Sequence, residues 1–147
     1  MTTFSKSQGA RSATVLNLGT LASATYVMSS AIDLTATIPD DVIFEVECDP
    51  NGASTGNKQL VVFCKLSLDN TNYGSGPESG TTATEEADLM LLGILPTVDT
   101  NTHRGFFSLR EAGIPITRYL KIVVKNDMGV ALTSGNVYQA NINGVGT

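Results

Sequence analysis

Residues 60–73, LVVFCKLSLDNTNY, decide what kind of fold this sequence makes. Lys65 and Ser67 alternate with Leu60, Val62, Cys64, Leu66 and Leu68, the period of two expected of a strand with one face on a core. The run then breaks into Asp69, Asn70, Thr71 and Asn72, whose side chains bond to their own backbone and tolerate turn dihedrals, so the chain reverses or bulges there. Outward from this stretch, residues 119–126 (YLKIVVKN) put Leu120, Ile122 and Val124 on one face and Lys121, Val123 and Lys125 on the other. Residues 42–48 (VIFEVEC) alternate more cleanly still, with Val42, Phe44, Val46 and Cys48 facing in and Glu45 and Glu47 facing out.

Weaker β patterns fill much of the remaining chain. Residues 13–18 end at Gly19, residues 25–29 follow, and residues 31–38 carry Ile32, Leu34 and Ala36 on one parity before a turn at Pro39, Asp40 and Asp41. Residues 104–110 place Phe107 and Leu109 on one face, and residues 137–143 are expected to turn Tyr138, Ala140 and Ile142 inward. Residues 89–95 are apolar without alternation, which suits a strand buried on both faces or a short helix begun at Thr82 with Glu85 in a capping box. Gly93 and Pro96 bracket the segment too closely for a helix, which favours the strand. Eight or nine short antiparallel strands, with no firm helix, predict an all-β protein, a β-sandwich of jelly-roll or immunoglobulin type.

Two segments stand outside that pattern. Residues 1–12 are polar and aperiodic and contain Phe4, Lys6 and Arg11, so they are expected as a flexible or partner-bound arm, with residues 13–147 as a single domain. Residues 69–88 form a long irregular excursion holding Asn70, Asn72 and Tyr73 at one end and Glu85, Glu86 and Asp88 at the other. Excursions of this length inside a compact domain are uncommon unless functional, so these side chains are the first candidates for contact with a partner.

Composition narrows the function. With 147 residues and 41% hydrophobic content, one core can form without disulfides or metals. Only 16% of the residues are charged, so Ser, Thr, Asn and Gly must make up much of the surface. A formal net charge of −5, with nine scattered basic residues, argues against nucleic acid as a partner. No apolar run reaches the length of a membrane helix, and residues 1–12 lack the apolar region of a secretion signal, so folding in a reducing cytoplasm is expected.

Candidate chemistry is sparse. Were residues 42–48 and 60–68 a hairpin across the loop 49–59, Cys48 would face about Leu60 and Cys64 about Phe44, too far apart for a disulfide. Both cysteines read as small buried apolar residues, and two cysteines with one histidine make no metal site. His103, the single histidine, lies in a polar stretch with no nucleophile motif near it, and reads as an exposed loop residue. Glu45 and Glu47 share a strand face, yet there is no tryptophan to line a sugar cleft, and they read as solvated positions. Asp69, Asn70 and Asn72 depart from a calcium-binding loop and are explained by a turn. No enzyme activity and no cofactor are expected.

Residues 67–74 (SLDNTNYG), Phe107-Ser108-Leu109, and residues 119–126 running into Asn126-Asp127-Met128-Gly129 together resemble small virion proteins of tailed bacteriophages. The type is the jelly-roll decoration or cement protein, and the resemblance spans residues 42–142. It implies a non-enzymatic protein of the virion surface, assembled in the host cytoplasm. Such a protein binds between major capsid subunits, commonly as a homo-oligomeric dimer or trimer. Residues 1–12 and 69–88 would be its contacting parts. The 67–73 segment also looks like the strand and turn of discoidin-like carbohydrate-binding sandwiches, with Tyr73 at an aromatic position. The missing tryptophan and the lack of a disulfide closing the ends depart from that pattern.

Overall fold

The computed structural model of the chain describes residues 4–146; residues 1–3 of the expected arm, and the side chain of Phe4, lie outside the described residues. Ten strands follow in order: β1 (Phe4–Gln8), β2 (Leu16–Asn17), β3 (Tyr26–Met28), β4 (Ile32–Asp33), β5 (Asp41–Pro50), β6 (Gln59–Ser67), β7 (Met90–Pro96), β8 (His103–Ser108), β9 (Tyr119–Asn126) and β10 (Leu132–Gly146). A single 3-10 turn, Glu86–Asp88, precedes β7. The helix considered for this region is therefore one turn long, and the strand takes the rest.

The strands form two antiparallel sheets. Sheet one has the order β1-β10-β5-β8, with β2 also on β10; sheet two has the order β3-β9-β6-β7, with β4 also on β9. Treating β1 with β2, and β3 with β4, as interrupted strands reveals the winding. β1 and β2 pair with β10, β3 and β4 with β9, β5 with β8, and β6 with β7. Each strand of the first half meets its counterpart in the second, as if one long hairpin turning between β6 and β7 had been wrapped around a core. That is the jelly-roll arrangement, and the expected all-β sandwich is the fold.

Alternation accounts for the core. Every second residue of β5 is buried along its whole length, and Phe44, Val46, Leu60, Val62, Leu120 and Ile122 meet between the sheets. The conditional hairpin between residues 42–48 and 60–68 does not form. β5 belongs to sheet one and β6 to sheet two, so the loop 49–59 crosses from one sheet to the other. Cys48 and Cys64 are both free and buried. Burial pushes each thiol up to about 12, for Cys48 with help from Asp49 and Glu47, so both stay protonated and unreactive.

Three expectations about facing are corrected. Leu68, assigned inward, is 72% exposed because β6 ends at Ser67 and the chain has already turned. Tyr138, Ala140 and Ile142 stand opposite Glu45, Ile43 and Asp41 on the outer face, whereas Val137 and Gln139 stand opposite the inward Val46 and Phe44. β7 is buried on one face only: it is the edge of sheet two, and Leu91 and Ile94 are about half exposed.

The expected arm contributes β1, which pairs residue for residue with the end of β10, from Phe4 opposite Gly146 to Gln8 opposite Ile142. Ser5, Lys6, Ser7 and Gln8 are all exposed, so backbone hydrogen bonds, and not burial, hold this strand.

Candidate interaction surface

The outer face of sheet one is built from the outward positions of β5, β8 and β10. Glu45 and Glu47 lie there as expected, but bound in ion pairs, not freely solvated. The Arg104 guanidinium from β8 lies 3.0 Å from Glu45 and 2.5 Å from Glu47, and Arg11 reaches Glu45 at 3.3 Å. Arg11 also lies over the Tyr138 ring, 4.1 Å from its centre, while the Tyr138 hydroxyl donates to Glu47. The hydrogen bond from Arg104 holds the Glu47 carboxyl below the usual range. The Glu47 carboxylate is thereby kept ionised and engaged with Arg104. Beside it Phe106 projects from β8 with 66% of its surface exposed.

The outer face of sheet two is closed by the excursion 69–88. Tyr26, Val61, Phe63, Leu89 and Val123 form a second apolar cluster there, separate from the main core. This is why Val123, expected on a polar face, is fully buried. Two lysines hold the cover in place. Lys65, only 4% exposed, donates to the Gly76 carbonyl at 3.0 Å and pairs with Glu78 at 3.2 Å. Lys125 pairs with Glu86 at 2.8 Å, and the Tyr26 hydroxyl donates to the same carboxylate. Gly80 and Tyr26 exchange two backbone hydrogen bonds, which ties the loop to the edge of β3.

The residues singled out in the sequence therefore fall in separate places. Lys6 lies exposed on β1 and Arg11 on the outer face of sheet one. Glu86 turns back onto its own chain, and Glu85 holds a left-handed conformation (φ 62°) before the 3-10 turn. Asn70, Asn72 and Tyr73 stay together after β6. The Asn70 side chain accepts from the Tyr73 hydroxyl at 2.7 Å, and Lys121 covers one face of the Tyr73 ring at 4.3 Å. That face is closed to a stacking sugar. His103 begins β8 instead of lying in an open loop; its ring is 14% exposed and lies 3.2 Å from Asp99. Phe106 and the Arg104 bridge were missed by sequence reasoning, although the outward parity of β8 opposite Phe107 was the available signal.

Asp69 organises the turn after β6. Its carboxylate accepts the backbone N–H groups of Thr71 and Asn72 at 2.9 and 2.8 Å and the Asn72 side chain at 2.7 Å. These bonds, led by that from Asn72, hold its carboxyl far below the usual range. The turn gains stability that is complete above the ordinary aspartate value and is lost only as pH falls through the depressed one. In an NMR pH titration the Thr71 and Asn72 amide signals should hold still near the ordinary value of about 3.9 and move only in stronger acid. Movement centred on the ordinary value would show that the bonds are not made in solution.

Jelly-roll sandwiches whose conspicuous features lie on their faces and edges form a broad class, and this chain belongs to it by fold. Among the described residues no three His, Cys, Asp or Glu side chains come together as a metal site. No protein-family model matches the chain, and no curated protein is similar to it in sequence. Solved structures align with it at low similarity. A Bacillus endospore appendage, from a family of disulfide-linked pili, is 12% identical with a TM-score of 0.32, covering 97% of this chain and 88% of its own. The Desmodium yellow mottle tymovirus structure is 8% identical with a TM-score of 0.38, covering 100% of this chain and 87% of its own. The decameric BFDV capsid protein is 9% identical with a TM-score of 0.34, covering 99% and 96%. At these values the likenesses say nothing about function.

Proposed function

We propose that this chain is a structural virion protein, and more narrowly a decoration or cement protein. It binds the outside of a bacteriophage capsid, strengthens contacts between major capsid subunits, and acts by assembly, not catalysis. The observation that carries this reading is the outer face of sheet one, where Phe106 stands 66% exposed beside Arg104, Arg11 and Tyr138. Aromatic residues and arginine are enriched where proteins meet, and large exposed aromatics are otherwise a liability. The sequence resemblance to phage decoration proteins supplies the partner. Repetition of one modest contact over a shell would then add up to substantial reinforcement.

Purified protein mixed with expanded, decoration-free shells should bind saturably and stoichiometrically and raise the temperature at which the shells break. Phe106→Asp should weaken that binding by about 30-fold or more, the loss typical of a central interface aromatic. Because Phe106 is mostly exposed, the variant should melt as the parent does. Failure of the parent to bind any expanded shell would sink the reading, and undiminished binding by Phe106→Asp would remove this face from it.

A further inference from the structure

After the turn at Asp69, residues 74–88 cross the outer face of sheet two from β6 to the edge strand β3 and return to β7. Polar contacts do most of the fastening. Pro77 is the one buried residue between Gly74 and Asp88. The fastenings are the bonds of Lys65 to Gly76 and Glu78, those of Lys125 and Tyr26 to Glu86, and those of Ser79 and Gly80 to the backbone of β3. Beneath the crossing the sheet is apolar in register: Leu91, Phe63, Val123 and Met28 stand side by side across β7, β6, β9 and β3, and Ile94 and Val61 begin the neighbouring row. Leu91 and Ile94 lie half exposed at the open end of these rows, and the rest is covered.

We propose that residues 74–88 are a strap that opens as one unit while the sandwich stays folded, and that the ion pair of Lys65 with Glu78 is its latch. Segments that bury little apolar surface and depend on exposed polar bonds are the ones that open locally, and the strap buries a single proline. The charge beneath it favours the same motion. Lys65 is buried when the strap is closed, with Lys121 directly opposite on β9, so its ammonium has given up water beside a like charge. Opening returns that water and offsets part of the cost of uncovering Val61 and Phe63. Gly76 and Gly80, at φ +114° and +103°, hold backbone conformations that side chains rarely adopt, so the chain can bend at both. The turn at Asp69 is bonded within itself and stays in place. Opening extends the exposed rim of Leu91 and Ile94 into a patch that reaches Val123. The closed strap is therefore an autoinhibitory contact that keeps an apolar face from solvent and from other proteins.

This device does not depend on shell binding, and the free chain tests it. In native-state hydrogen exchange the amides of Tyr26, Met28 and Gly80, all bonded across the strap, should exchange together and at least about 100-fold faster than those of the β6–β9 ladder. Their exchange should depend only weakly on denaturant, because a small unit opens. Glu78→Gln, at an exposed position, leaves the Lys65 ammonium with the Gly76 carbonyl alone and should speed strap exchange by at least about 10-fold. The variant should bind the apolar dye anilinonaphthalene sulfonate, which the parent does not, and still unfold cooperatively. Adding Lys65→Met removes the stranded charge and should slow strap exchange again, whereas Glu111→Gln, exposed and off the strap, should match the parent. Strap amides that exchange only with the ladder, or that show no protection at all, would overturn the strap. Glu78→Gln without faster exchange, no slowing on adding Lys65→Met, or an equal effect from Glu111→Gln would overturn the latch.

Discussion

Asn126→Leu should lower stability by about 3–5 kcal/mol, a loss at the upper end of single-residue effects. Asn126 ends β9 and is fully buried. Its side-chain amide donates to the carbonyls of Leu21 and Val130 at 2.9 and 2.8 Å, and its side-chain oxygen accepts the Met128 N–H at 3.0 Å. One side chain thus ties the loop before β3 to the turn before β10. Leucine has a similar branched shape but is larger, and it would leave the Val130 carbonyl and the Met128 amide unpaired, each costing about 1–3 kcal/mol, while the Leu21 carbonyl keeps only its bond from the Leu132 N–H. The damage should spread. Thr55 and Gly56 both donate to the Met128 carbonyl, and Gly129, at φ +82°, packs directly against Gly56. Denaturant unfolding should show a lower midpoint with an unchanged slope. A loss below about 1 kcal/mol would mean that water takes over the three bonds and that the amide does not organise the turn.

Asn126 was visible in the sequence only as the last residue of a strand running into a turn. Its importance comes from residues 21 and 130 being brought to it, and no local pattern reports that. The same division runs through the fold. Alternation identified β5 and placed β9 correctly because a face on the core leaves a mark on every second residue. It misread the opposite face of β6, where Lys65 and Ser67 are polar and yet buried, because the irregular excursion that follows the strand folds back over them and leaves no mark on its alternation. β10 was read one residue out of phase. Beyond Val137 its inward positions are Gln139 and Asn141, while apolar Ala140 and Ile142 lie outward with Tyr138 beneath Arg11. β1 has no apolar period because only its backbone is engaged. Pairing order was illegible since nearly every connection crosses between sheets, and crossing leaves no trace in a local window.

The interaction surface followed the same logic. The excursion was singled out for its length and acidity, yet Glu86 faces Lys125 and the loop serves as a cover for its own sheet. Phe106 left no mark of its own in the sequence because the inward parity of its neighbour Phe107 dominates the β8 pattern. On a strand, an exposed aromatic beside a buried one carries information that periodicity alone treats as noise.

Gly93→Ala should cost about 2–3 kcal/mol, and the cost should fall by at least about 1 kcal/mol when Phe107→Leu is also present. A Cβ at position 93 would lie 2.2 Å from the Phe107 ring. Gly93 sits in β7 opposite Val62, beside the register shift between β6 and β7, and Phe107 leans over it from β8 of the facing sheet. The glycine permits close approach of the two sheets at their shared edge. Leucine at 107 removes the ring that the new methyl group strikes, so the two substitutions must interact if the contact is real. Additive losses in denaturant unfolding would show that the ring moves aside freely. The consequence reaches the proposed surface, since Phe106 precedes Phe107 on β8. Packing Gly93 against Phe107 fixes the two edge strands relative to each other, so Gly93→Ala should weaken shell binding as well as stability, whereas Phe106→Asp should weaken binding alone.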